Sequence, residues 1–568
     1  MKPHWFTVAQ AAHLFPDSKT LVDMPLAAPP AAVDAAFHEL LLQLPGLAAQ
    51  PQQPQHRAAL ERFCSRWLLP AGSDLMPAEL PQLAAGPPQG WLPQVVQPGI
   101  RQWAEHLFRT WDALCRQASP DVAAHPDRHS LLPPLGDEGP RAFVVPGARF
   151  REMYYWDTFW SLRGLLACGL HTLAQGILCT LVAMVEAHGF VPNGLRTYYL
   201  NRSQPPLLSQ MVAVVHAASP DRALLQRALA ALLREHVHWT AAPKQVLIRS
   251  ADGRCHALSR YWAAWEEPRP ESYREDAAAA AGLGGREARR LWRNLACAAE
   301  SGWDFSSRWL ADRETLASCC TTRVIPADLN GLLFQMERNI SRFAAELGDA
   351  ELAATFAQHA QQRLAAIDAL LWDAGSGQWR DLWIDEPEAE DGDEEGAAAA
   401  TLAGSSSGGS GSYVDNLCNR HRQSSAVAAS NWVPLYCGCA EAGSSQAKAA
   451  LQSLQRSGLL QPAGVAVSLR HTGQQWDWPN CWPPITCMLL EGCAEHCGEE
   501  GRQLAARLAQ QYLSTAHAAW AQSGRMWEKF DATRAGAPGG GGEYEVVDGF
   551  GWTNGVALLL LERYGWHG

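Results

Sequence analysis

Residues 326–371, PADLNGLLFQMERNISRFAAELGDAELAATFAQHAQQRLAAIDALL, read as two helices and the turn between them. Leu329, Leu333, Met336, Ile340, Phe343 and Leu347 recur at three- and four-residue steps, which gathers them on one face of a helix. Pro326 stands near the start, where its missing N–H costs nothing. Gly348 ends the run, and Asp349 is placed to cap a second helix carrying Leu352, Phe356, Leu364, Ile367 and Leu371.

The same spacing recurs on both sides of this pair. Ile100, Trp103, Leu107, Trp111 and Leu114 form one stripe, and Leu173, Ile177, Leu181, Met184 and Val185 another. Further helices are expected around 33–44, 57–69, 442–457, 484–497, 501–517 and 553–563. Strand signals are few. Val246 to Ile248, the turn Asp252-Gly253, and Cys255 to Leu258 predict a short hairpin. Many helices of about 12 to 20 residues, joined by loops rich in polar and aromatic residues, predict an all-α fold. An α/α toroid, with its loops collected around a pocket at one end, suits that pattern; an irregular helical array is the alternative that periodicity leaves open. No fixed-period repeat marks a solenoid. The expected organisation is an N-terminal arm over 1–98, packed on a barrel over 99–568. Residues 386–412, acidic and then rich in Ala, Gly and Ser, hold too little apolar surface to order themselves and are expected to form a disordered insertion.

Composition excludes several function classes. Hydrophobic residues make up 47% and charged residues 18%, enough apolar material for one large core. The net charge of −12 is partly local, since 385–395 holds eight acids and no base. No basic stripe offers itself to phosphates, so nucleic acid is not an expected partner. No window approaches the roughly 18 uninterrupted apolar residues of a membrane span. No leader pattern is visible, which points to a cytoplasmic location. The 15 cysteines lack the paired spacing of a zinc site and are expected as buried thiols in a reducing compartment. A monomer is expected. The 24 tryptophans suit a ligand with apolar C–H faces and polar edges, such as a sugar ring.

Six segments combine arginine, carboxylate, amide and tryptophan. They are 146–157, with Arg149, Trp156 and Asp157; Asn193 followed by 201–204, with Arg202, Ser203 and Gln204; 268–271, with Arg269 and Glu271; 301–304, with Gly302 and Asp304; 475–482, with Trp476 and Asp477; and 527–554, with Glu528, Glu543 and a run of four glycines at 539–542. One such cluster could simply tie loops together; six in one chain suggest a binding site. Carboxylates accept from adjacent hydroxyls, arginines and amides donate to them, and tryptophan supplies the apolar wall. A glycosidase further needs one protonated and one ionised carboxyl on opposite sides of the scissile bond. Residue type alone leaves the base open among Glu528, Glu543 and Asp548. The glycine run lacks the strand and the Lys-Ser/Thr of a phosphate loop, and a mobile lid is the expected reading.

These segments carry a family resemblance. PGARFREMYYWDTFW (146–160) and QWDWPNCWPP (475–484) resemble the two signature patterns of trehalases, glycoside hydrolase family 37, and GGGGEYEVVDGFGWTNG (539–555) resembles that family's glycine-rich segment. LFPDSKTLVDM (14–24), SRYW (259–262), RPE (269–271), SGWDFSSRW (301–309) and PADLN (326–330) follow the same order. The resemblance covers nearly the whole chain apart from 386–412. It implies an (α/α)6 barrel that hydrolyses α,α-trehalose with inversion and needs no metal or cofactor. It implies Asp304 as general acid, Glu528 as general base, and Arg149, Trp156, Asp157, Asn193, Arg202, Ser203, Gln204, Arg269, Glu271, Gly302 and Glu543 as substrate-binding residues. Trp476 and Asp477, inside the second signature, are expected to line the same pocket. Ala148 stands where the family usually has Gly, Cys481 where it has Gly or Ala, and Pro483 where Ala is common. The alternatives are another inverting α-glucosidase on the same barrel and a trehalose-binding sensor without catalysis.

Overall fold

A computed structural model describes residues 3–84, 86–87, 90–133, 141–385 and 417–567. The expected insertion at 386–412 lies outside the described residues. The helix pair of the opening stretch spans Ala327–Leu347 and Ala350–Leu370. Gly348 adopts the left-handed φ of 91° that ends the first helix, and the Asp349 carboxylate accepts from the Leu352 N–H at 3.0 Å to begin the second.

Twelve helical segments alternate between an outer and an inner ring. The outer members are Pro98–Leu114, His171–His188, Arg222–Thr240, Ala350–Leu370, Ser445–Arg456 and Gly498–Ser523. The inner members are Tyr155–Ala167, Leu208–Ala218, Ala327–Leu347, the short turn-and-helix Ala429–Trp432 with Val433–Tyr436, Pro483–His496 and Gly551–Tyr564. Each inner member touches the next, and the last returns to the first, so the ring closes as an (α/α)6 barrel. Sequence chemistry sorts the two rings. The outer helix Pro98–Leu114 buries one stripe, Ile100, Trp103, Leu107, Trp111 and Leu114 among it. The inner helix Gly551–Tyr564 buries every residue from Gly551 to Leu561, as a helix apolar on all sides must. The closing contact is backbone on backbone: a Cβ on Gly164 would fall 2.4 Å from the Gly555 Cα.

The expected hairpin is present as Gln245–Arg249 paired antiparallel with Cys255–Ser259. Within the stretch expected as an arm, Trp5, Phe6, Val33, Phe37, Leu60 and Phe63 share a small apolar core of their own, whereas Ala78 and Leu92 join the main core. Arg196 ties the two cores together. It is fully buried and bonds Glu152 at 2.7 Å and Asp74 at 2.7 Å, with Asp23 3.3 Å away. Lys19 adds ion pairs to Asp23 and Glu152, both 2.7 Å.

Candidate active site

The loops at one end of the barrel enclose a cavity with two unlike carboxyl groups facing it. Asp304 follows the turn that ends helix Gly285–Glu300. That turn needs Gly302, whose φ is 74° and on which a Cβ would lie 2.9 Å from the Trp156 indole. Burial pushes the Asp304 carboxyl up to about 7; the Arg269 charge opposes the shift and the Glu543 charge adds to it. Near neutral pH this group therefore holds a proton for much of the time.

Glu528 reaches the cavity from the loop before helix Gly551–Tyr564, whose first turn anchors it: Trp552 Nε1 donates to the Glu528 carbonyl at 2.9 Å. Burial raises this carboxyl too, and it is opposed by Lys529, by a 2.8 Å hydrogen bond from the Tyr544 hydroxyl, and by Arg149. The foremost cation near it is its own neighbour in the chain, Lys529, with Nζ 3.7 Å from Oε2. Oε2 itself is buried and accepts no hydrogen bond among the described residues, which leaves an acceptor for a water or a hydroxyl. Asp157, in the first turn of helix Tyr155–Ala167, is pushed well up by burial and then by the charges of Glu528 and Asp304.

Around these carboxyls stand three arginines. Arg149 lies with Nε 3.0 Å from Asp17 and its guanidinium 4.7 Å over the Tyr544 ring. Arg202 donates to Glu271, and burial of that carboxyl is outweighed by Arg202 and Arg269, which hold it below its ordinary range. Arg269 forks onto Asp276 at 2.9 and 2.6 Å and reaches Glu543 at 3.1 Å; Glu543 also accepts from Ser272 Oγ at 2.9 Å. Asn193 and Gln204 complete the polar rim, the latter holding the Trp156 N–H at 3.0 Å. The apolar wall is a tryptophan stack. Trp476 lies parallel to Trp482 at 4.0 Å and to Trp303 at 4.9 Å, with Trp156 and Trp552 meeting edge to face at 5.9 Å.

The cavity thus brings together Arg149, Trp156, Asp157, Asn193, Arg202, Gln204, Arg269, Glu271, Gly302, Asp304, Trp476, Glu528 and Glu543. Two expected pocket residues lie outside its lining. The Ser203 hydroxyl donates to the Val191 carbonyl at 2.7 Å, while its N–H donates to Glu300. The Asp477 carboxylate is consumed by Ser306, Ser307, Ser468 and Thr472. Residues not expected also line the cavity, among them Lys19, Tyr199, Ser272 and Ala299. The motif 14–24 was the one signal for Lys19; the other three sit beside quoted motifs without a charge to mark them.

The trehalase family model matches residues 13–565. The chain belongs to the trehalase family. It is 40% identical to a probable trehalase of Oryza sativa over 97% of this chain and 92% of the relative. It is 36% identical to a trehalase of Arabidopsis thaliana, over 97% and 83%. Among solved structures, neutral trehalase from Saccharomyces cerevisiae shares the fold with a TM-score of 0.55, at 23% identity over 74% of this chain and 73% of that one.

Against the family pattern, Ala148 has a φ of 51°, the left-handed region that a glycine enters freely, so alanine carries strain there. Cys481 is buried beside Gly464, shares a 3.4 Å contact with the Thr486 hydroxyl, and does not line the cavity. No disulfide links any of the fifteen cysteines, and Cys255 is the exposed one among them. No described helix is long and apolar enough to cross a membrane.

Proposed function

We propose that the protein hydrolyses α,α-trehalose to two glucose molecules by single displacement with inversion. The observation that carries this reading is the unlike pair in one cavity: Asp304, pushed up to about 7, and Glu528, whose Oε2 is open as an acceptor. Asp304 gives its proton to the glycosidic oxygen as the C–O bond breaks. Glu528 takes a proton from a water, and the hydroxide so formed bonds to the anomeric carbon from the opposite face. One α-glucose and one β-glucose leave. Arg149, Arg202, Arg269, Glu271 and Asn193 orient hydroxyls, and the tryptophan stack receives the C–H faces of the rings. Glu543, bridged to Arg269 and Ser272, binds hydroxyls from the glycine-rich lid.

The test is glucose release from trehalose, maltose and maltotriose, with anomers resolved by NMR before mutarotation. Release from trehalose alone, with equal α and β products, is expected. Preferred turnover of maltotriose would instead select another α-glucosidase, and trehalose binding without glucose would select a sensor. A monomer is the proposed state, and sedimentation checks it. Fifteen cysteines without a disulfide among them suit a reducing, cytoplasmic compartment.

A further inference from the structure

The displacement just described uses neither Gln475 nor Lys529, although both are buried within reach of it. Gln475 Nε2 donates to the backbone carbonyl of Asp304, and its Oε1 accepts from Lys529 Nζ at 2.8 Å. Lys529 Nζ lies 3.7 Å from Glu528 Oε2 and over the faces of Trp482 and Tyr544, at 4.9 and 5.5 Å. Both ends of the amide are thus committed, and a reversed amide would set its NH2 against an ammonium. The glycine run rests on the same side chain. A Cβ on Gly542 would meet Gln475 at 2.9 Å, and the Gly542 N–H donates to the Gly473 carbonyl at 3.0 Å.

We propose that Lys529 and Gln475 are positioning residues that tie the general base, the loop of the general acid and the glycine-rich lid into one unit. Lys529 keeps Glu528 in its charged form, and Gln475 fixes Lys529, the Asp304 loop and Gly542 relative to each other. The inference rests on the roles given to Asp304 and Glu528 above. The groups facing Glu528 are Lys529 beside it in the chain, Tyr544 from the lid, Arg149 from the loop 146–150, and Asp157 from helix Tyr155–Ala167. Lys529 and Arg149 are the cations among them, so removal of Lys529 leaves only Arg149 and the Tyr544 hydrogen bond to oppose burial.

The test is the pH profile of kcat/KM for trehalose hydrolysis by the full chain. Activity needs Glu528 ionised, so its acid limb follows the Glu528 pKa. Lys529→Met is expected to move that limb up by about one pH unit and to lower kcat by about tenfold or more, with KM little changed. Lys529→Arg is expected to bring the limb back. Gln475→Ala is expected to lower kcat with the limb in place, and the Lys529→Met/Gln475→Ala pair to lose less than the product of the two single losses. Gln475→Glu, which offers Lys529 a rival carboxylate, is expected to move the limb upward and stands in should Lys529→Met fail to fold. An unmoved limb in both Lys529→Met and Gln475→Glu, or losses that simply multiply, would overturn the inference. Asp304→Asn and Glu528→Gln are run beside them. If either turns over like wild type, the assignment of that residue fails; if both are inactive and the limb stays put, the positioning inference alone fails.

Discussion

Asp304 and Asp477 each follow a tryptophan, and those indoles stack on one another, yet their carboxyls have opposite fates. Asp477 accepts from the hydroxyls of Ser306, Ser307, Ser468 and Thr472 and from the Ser307 N–H, at 2.6 to 3.1 Å. Its lone pairs are used up, and it acts as scaffold. The Asp304 carboxyl faces the cavity, where burial rather than bonding decides its state. The two are linked, because Ser306 and Ser307, held by Asp477, directly follow the Asp304 turn. Arginines divide in the same way. Arg308 forks onto both Asp328 and Asp381 at 2.6 to 2.8 Å, whereas Arg202 keeps Nε buried without a partner among the described residues. A closed set of hydrogen bonds makes a strut; an open one makes a site.

The sharpest way to break this contrast is to neutralise each aspartate in turn. Asp304→Asn is expected to lower kcat by about 10³-fold, the range for loss of a general acid, with the unfolding midpoint unharmed. Asp477→Asn is expected to cost about 2–4 kcal/mol of stability, seen as a lower denaturation midpoint, with a smaller loss of kcat. Equal kcat losses with equal stability would erase the distinction. The pH dependence comes next. Asp304 must be protonated to act, so kcat should fall as pH rises through about 7, and a kcat that stays level to pH 9 would remove Asp304 from the acid's role. The same raised value has a stability sign. Folded Asp304 keeps its proton after the unfolded group has lost it, so this residue lowers stability progressively from about pH 4 to 7. Above that window Asp304→Asn should melt higher than wild type.

A milder comparison exchanges the arginines. Arg202→Lys is expected to raise KM by about tenfold with stability kept, because a point charge cannot reproduce the guanidinium's planar set of donors. Arg308→Lys is expected to lower the melting temperature with KM kept. The smallest effect belongs to Ala148→Gly, which relieves the left-handed strain and should stabilise by roughly 0.5 kcal/mol once the added freedom of the unfolded chain is subtracted.

Most of the outer ring was legible because its helices show one stripe to the core; Ile100, Trp103, Leu107, Trp111 and Leu114 all lie buried as spaced, whereas Arg222–Thr240 was not picked out. The inner ring was harder. Helix Leu208–Ala218 shows no polar face to orient it, and the fourth inner member, only eight residues long with Pro434 within it, falls below any helical period. The N-terminal stretch hid its own core because its apolar residues are sparse between prolines. At the site, motifs found the charged residues, but type could not separate Asp304 from Asp477, since both occur as Trp-Asp. Part of the difference lies in Ser306 and Ser307, far from Asp477 in the chain and brought to it by the fold. Lys19 escaped because one of its partners, Glu152, lies far from it in the chain.

The meeting of Gly164 and Gly555 also has a meaning in time. A ribosome delivers the first inner helix almost four hundred residues before the one that must lie against it. Until then the growing chain has five staves of a six-stave barrel, and its tryptophan wall stands open to water. The barrel cannot close on the nascent chain by stages. Its last stave locks the first, and the cavity is completed only once that stave has been made.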